Sequence, residues 1–162
     1  MADKDLAQYL NAHLAGSVGA LELLEAIQHR ALNAPQQEFV RELRAEIEES
    51  QATLRALMVQ LGIEEHRLEL AAAWLGEKFA RARLAVTASG HPVLGWLEGL
   101  EMLGLGIQGQ VALWRALGAV AVKNPALRGF DFGSLTRQAA AQFAAVERER
   151  LTAAVTAFSA EP

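Results

Sequence analysis

The chain has 162 residues, enough for one domain with a substantial core, and 52% of them are hydrophobic with few aromatics and only 4 prolines, which speaks against an all-β fold. It contains no cysteine, so disulfides, thiolate nucleophiles and cysteine-held zinc are excluded together. Its net charge of −4 leaves no basic footprint for a nucleic-acid partner.

Met1-Ala2-Asp3-Lys4-Asp5 has no apolar signal-peptide core, and a cytoplasmic location is the expectation. From Asp3 to Leu32 a long helix is predicted, with Leu6, Leu10, His13, Ser17, Leu21, Leu24 and Ala31 recurring at helical spacing. Asn33-Ala34-Pro35 interrupts it, and Pro35 suits the first turn of a second helix. That helix carries the stripe Val40, Leu43, Ile47, Ser50, Leu54, Leu57 and Leu61, and Gly62 ends it. So short a connection makes the two helices antiparallel neighbours.

Glu64 to about Thr87 reads as a more charged helix, with Leu68, Ala72, Leu75, Phe79 and Ala82 on one side. Its 24 positions would span roughly 36 Å, about the length of its neighbours, and so carry the chain back along the bundle. The helices on either side of this crossover would then run parallel; a five-helix up-and-down array is the other arrangement the pattern allows. Ser89-Gly90-His91-Pro92 is the clearest break, and Pro92 opens a helix running to about Lys123. Asn124-Pro125 and Gly129 mark a loop. Asp131 or Ser134 caps a last helix that reaches about Phe158. Residues 1–162 are thus expected to form one all-α domain.

The stretch from Val93 to Val122 is apolar, but Glu98, Glu101, Gln108, Gln110 and Arg115 interrupt it, and charges at mid-bilayer are costly. No membrane association is expected. Glu98, Glu101, Gln108 and Arg115 lie near one stripe, opposite Val93, Leu97, Leu100, Ile107, Val111 and Trp114. The polar stripe reads as a narrow solvent strip on a central helix. Gly95, Gly99, Gly104, Gly106 and Gly109 are each unfavourable in a helix by about 1 kcal/mol against alanine. Close packing against a helix or a subunit would account for them, a π-bulge being the alternative.

Polar residues inside apolar stripes are the candidate site residues. His13 and Ser17 fall on the first stripe and Ser50 on the second. Glu46 lies one turn before Ser50 in the run Glu46-Ile47-Glu48-Glu49, most of which reads as a solvated face. Phe143, Glu147, Leu151 and Phe158 share a face of the last helix, so Glu147 is a candidate partly buried carboxylate, with Arg148 and Arg150 as ordinary ion-pair partners. Glu25 and His29 are four apart, a spacing that suits a shared ligand or a surface pair.

Several of these stretches resemble the ferritin-like superfamily. His13-Leu14-Ala15-Gly16-Ser17-Val18-Gly19-Ala20 is similar to the first-helix motif of its coenzyme Q hydroxylase and tRNA hydroxylase branches, with Ser17 where a Glu is usual. Glu48-Glu49-Ser50-Gln51 resembles the second-helix Glu-x-x-His, with Gln51 in place of His. Gly106-Ile107-Gln108-Gly109-Gln110 looks like a stretch of the third bundle helix, with Gln108 where a carboxylate is expected, and the last helix keeps Glu147 but has Arg150 for His. No Glu-x-x-His occurs anywhere in the chain. The resemblance covers about Leu6 to Phe158. It implies a four-helix bundle with a long crossover carrying an additional helix, and two metals held by Glu and Glu-x-x-His. Neutral Ser and Gln cannot balance two iron ions, and an Arg would repel them.

Three functions follow as expectations. The first is a non-catalytic bundle without a cofactor that acts through association, most simply as a homodimer, with the glycines and Trp74, Trp96 and Trp114 offering a face to a partner. The second is an enzyme or metal binder with an altered site for Mn or Fe. It would draw on Glu101 and Glu147 first, then Glu46, Glu98, Glu25 and His13. The third is a carrier of an apolar ligand in a cavity between helices.

Overall fold

The computed structural model describes residues 4–30, 33–66, 77, 80, 81, 84 and 90–159. Four long helices account for most of them: α1 (Lys4–Gln28), α2 (Ala34–Gln60), α3 (Pro92–Ala121) and α4 (Phe132–Phe158), with a 3-10 turn at Pro125–Leu127 between the last two. No strand occurs among the described residues, so the all-α expectation holds for them. Much of the expected helix from Glu64 to Thr87, Trp74 included, lies outside the described residues; Glu77, Ala80, Arg81 and Leu84 are helical, and 64–66 are not.

The helix ends follow local chemistry. α1 stops at Gln28, short of the predicted Leu32, and Arg30 N–H closes a turn onto Ile27 O at 2.8 Å. Asn33 caps α2, its Oδ1 accepting from Gln36 N–H at 2.9 Å. At the other end of α2, Gly62 adopts φ +66°, which only glycine takes without strain. Gly62 N–H then bonds Val59 O and Ile63 N–H bonds Met58 O, a Schellman pair sealed by burial of Met58 and Ile63 in one cluster. Asp131, rather than Ser134, caps α4, accepting from Ser134 N–H at 2.9 Å.

Two apolar clusters give the directions of the helices. One joins Leu24 and Ile27 of α1, Val40 and Leu43 of α2, Trp96 and Leu100 of α3, and Ala153 of α4. The other joins Leu10 of α1, Leu57 and Met58 of α2, Trp114 and Leu117 of α3, and Phe132 of α4. The chain therefore enters and leaves each cluster in a set order. α1 and α4 run one way, and α2 and α3 run the other. The parallel pair α2 and α3 means that the chain between His66 and Gly90 bridges the two ends of the bundle.

Two side chains tie loops to helices at the second cluster. Asn11, 1% exposed, donates from Nδ2 to Ala7 O at 3.0 Å and to Glu64 O at 3.1 Å, and its Oδ1 accepts from His66 N–H at 2.9 Å. It fastens the start of the crossover to α1. Gln60 Nε2 reaches Ala126 O and Arg128 O and fastens the α3–α4 loop to α2.

The predicted α2 stripe is buried from Val40 to Leu57, with Leu61 half-buried. The α3 division holds from Leu97 on: Leu97, Leu100, Ile107, Val111 and Trp114 are buried and Val93 is half-buried, while Glu101, Gln108 and Arg115 are exposed and Glu98 is half-buried. On α1 the buried face is rotated from the predicted one. It centres on Leu10, Leu14, Leu23, Leu24 and Ile27, and leaves Leu6, His13, Ser17 and Leu21 half-buried. On α4 the expected face is corrected. Leu151 and Phe158 are exposed, and the core side is the small-residue line Ala139, Gln142, Val146 and Ala153. Small side chains there let α4 approach α3: a Cβ added to Gly104 would lie 3.5 Å from the Phe143 ring, and one added to Gly118 would lie 3.2 Å from Phe132 Cβ. No described helix is long and apolar enough to cross a membrane.

Candidate functional site

Between the two clusters, every helix turns a polar residue toward the core. These are Ser17 on α1, Ser50 and Gln51 on α2, Gln110 on α3 and Gln142 on α4. The clusters stop at Leu14 and resume at Ala20 on α1, stop at Leu54 and Ile47 on α2, at Ile107 and Val111 on α3, and at Ala139 and Val146 on α4. The result is a hydroxyl and amide layer across the middle of the bundle. Ser50, Gln51 and Gln142 are all buried.

The members of the layer partner one another. Ser17 Oγ donates to Leu14 O at 2.7 Å and accepts from Gln51 Nε2 at 2.9 Å. Gln51 Oε1 accepts from Arg55, whose Nε reaches Glu65 Oε1 at 3.0 Å. Gln110 Nε2 donates to Ser50 Oγ. The exception is Gln142. Its amide atoms are buried without a hydrogen bond of ordinary geometry, although the amide lies near enough to Glu46 to favour that carboxylate's charged form.

His13 sits one turn before Ser17, half-buried, with the Tyr9 ring edge-on at 4.6 Å. Burial holds its pKa below the ordinary value of 6.5, so the ring is neutral at pH 7. A histidine with a depressed folded pKa contributes nothing at high pH and costs stability as pH falls from about 6.5 through its folded value. We expect urea midpoints to drop between pH 7 and pH 5, and His13→Gln to lessen that drop, whereas an unchanged pH profile in the variant would remove His13 as the cause.

The other carboxylate candidates lie outside the layer. Glu101 and Glu147 do come together, but on the α3–α4 surface and through Arg150. The guanidinium grips Glu147 with Nε and Nη2, each at 2.7 Å, and reaches Glu101 Oε1 with Nη1 at 3.3 Å. The bidentate bond to Arg150 pulls the Glu147 carboxyl below its usual range and pushes the guanidinium up. Glu46 is exposed; partial desolvation of its carboxyl, with Glu42 and Glu49 nearby, raises its pKa. Glu98 is half-buried, and Glu25 and His29 are exposed. Of the Glu48-to-Gln51 motif Ser50 and Gln51 face inward, while Glu48 pairs with Arg44 at 3.0 Å on the surface and Glu49 is exposed. Among the described residues, no three His, Asp or Glu side chains group so as to hold a metal ion.

A cavity of about 140 Å³ opens beside the layer, between α1, α2 and α3. Ser17, Ser50, Gln51 and Gln110 line it together with His13 and Trp114. Trp114 is 1% exposed, and its Nε1–H has no hydrogen-bond partner. Sequence periodicity flagged His13, Ser17 and Ser50, but not Asn11, Gln142 or the inward turn of Gln110. Asn11 stands four residues after Ala7 and three before Leu14, a spacing that was a usable signal. Nothing in the local pattern distinguished Gln110 from the outward Gln108.

The glycines divide by role. A Cβ on Gly118 would crowd Phe132 of α4, whereas one on Gly104 would make ordinary contact with Phe143. A Cβ on Gly109, which lines the cavity, would meet nothing within 4 Å. Gly109→Ala is therefore expected to raise stability by up to about 1 kcal/mol through helix propensity. A loss in denaturant unfolding would show that the space is closed to a methyl group.

In comparisons with known proteins, the chain matched no protein-family model, no curated protein and no solved structure.

Proposed function

We propose that this chain is a cytoplasmic, ferritin-like helical bundle without an intact di-iron site, acting through binding and self-association rather than catalysis. The observation that carries this reading is the neutral layer. Di-metal bundles place their ligands on facing helices inside the core. Among the described residues the inward polar groups at mid-core are serines and glutamines, largely hydrogen-bonded to one another, with no negative charge to offset a metal pair. The helix directions, with α2 parallel to α3 and a crossover between them, support the ferritin-like arrangement. Fold does not confer activity, and the lack of a di-metal donor set among the described residues supports a role other than oxygenase or ferroxidase chemistry.

The competing reading is a Mn or Fe site built from carboxylates. It would need Glu46, Glu98, Glu101 and Glu147 to converge with His13. Arg150 occupies the two best of them from the surface, Glu98 is half-buried on α3, and Glu46, though near the Gln142 amide, is exposed. Titration of Mn(II), and of Fe(II) without oxygen, into tag-free protein tests the choice. Heat of binding at one or two ions per chain would favour the metal reading; its absence supports the neutral bundle.

The partner we propose is a second copy. Trp96 and Trp114 are core residues, 1% exposed each, so the expectation that they offer a docking face is replaced. Leu151, Val155 and Phe158 instead form an exposed apolar stripe on α4, at 51%, 67% and 70% exposure. Light scattering on the sized protein should give a dimer mass that Val155→Lys lowers to the monomer.

A further inference from the structure

We propose that the cavity beside the polar layer is a binding site for a small neutral molecule of single-ring size that bears one hydrogen-bond acceptor. This deepens the neutral-bundle reading and rests on it. Size sets the first limit. The cavity is about 140 Å³, and an apolar protein cavity of roughly 150 Å³ takes up benzene. Shape and chemistry set the second. Ile47, Leu54, Leu113 and the Trp114 ring supply apolar wall, so a flat hydrocarbon body is accommodated.

Charge sets the third limit. Among the described residues no Asp, Glu, Lys or Arg lines the space, and His13 is held neutral by burial. An ionised ligand would lose its hydration there with no opposite charge to replace it. The polar contact has a defined sense. Ser17, Gln51, Ser50 and Gln110 already bond within the layer. The Trp114 Nε1–H does not, and an indole N–H can only donate. A ligand oxygen that accepts from it would satisfy a buried donor that otherwise goes without a partner. On the α3 wall of the cavity Leu105 is 66% exposed, Gly106 is half-buried, and a Cβ on Gly109 would meet nothing within 4 Å.

Phenol is the probe, with benzene and benzoate as comparisons. The readout is the indole N–H resonance of Trp114 in the nitrogen-15 correlation spectrum, assigned with Trp114→Phe. Phenol is expected to bind with a dissociation constant on the order of 1 mM and to move that resonance, as its few heavy atoms allow. Benzene should bind more weakly and benzoate not at all. Gly109→Leu, whose side chain grows into the open space, should weaken phenol at least about tenfold while the protein keeps its thermal unfolding transition. An unmoved Trp114 resonance up to saturating phenol overturns the proposal. So does equal binding by Gly109→Leu, or preference for benzoate. Should Gly109→Leu fail to fold, Ser50→Leu fills the same space from α2 and is read in the same way. The underlying reading fails separately: stoichiometric metal uptake overturns the neutral bundle whatever phenol does, while metal-free protein that ignores phenol overturns the cavity site alone.

Discussion

Asn11→Ala is expected to lower stability by about 2 kcal/mol in urea unfolding, more than its position in the first helix alone would explain. The side chain is buried, and all three of its hydrogen bonds are lost together: two that it donates, to Ala7 O and Glu64 O, and one that it accepts from His66 N–H. Glu64 and His66 are exposed, so water can partly replace Asn11 at their backbone groups, which keeps the effect from being larger. The Asn33 cap gives an internal comparison. It makes one exposed side-chain bond, and Asn33→Ala should cost about 1 kcal/mol or less. Equal losses at the two sites would mean that Asn11 does not fasten the crossover to α1.

Trp96→Ala should be the more damaging change, at about 3–5 kcal/mol, because it removes the bulk of a fully packed side chain and leaves a cavity. Trp96 is 1% exposed in the first cluster, and Phe39 of α2 packs edge-on to it at 6.4 Å. The expected loss separates two roles for the tryptophan. A core residue lowers stability at every protein concentration. A docking residue would instead weaken association and leave the monomer's unfolding nearly unchanged. Val155→Lys is the complement: within about 0.5 kcal/mol in the monomer, and disruptive only to self-association.

The architecture was legible because its signals are local. Pro35, Gly62 and Pro92 break the chain where helices end or begin, and the α2 stripe from Val40 to Leu57 has a single strong period. The length of the segment after Gly62 pointed to a parallel pair on either side of it, and the two clusters place α2 and α3 in that relation. What the pattern hid was phase on the helices richest in alanine. On α4, Phe143, Leu151 and Phe158 outweigh Ala139, Val146 and Ala153 in hydrophobicity, yet the smaller line faces the core because α3 and α4 pack closely over Gly104 and Gly118. On α1 the buried arc is wide, so a stripe drawn through His13, Ser17 and Leu21 follows its edge.

The site was legible only as a set of substitutions. Ser17 and Gln51 were singled out from separate helices, and they meet at 2.9 Å. Gln108 and Arg150, named by the same resemblance, face outward, and Gln110 and Gln142 take the inward places. A register error of two residues on α3 moves a side chain from the core to solvent, and one short motif does not fix register that well. Glu101 and Glu147, the first two candidates, share a partner, which is the Arg150 guanidinium on the α3–α4 surface.

The central claim is that the middle of this bundle is neutral and holds no metal pair. Elemental analysis of tag-free protein, grown with added iron and manganese and purified without chelator, tests it most directly. Well below one metal ion per chain is the result this account predicts. One or two tightly held ions per chain would contradict it, and would return Glu46, Glu98 and His13 to the centre of the site.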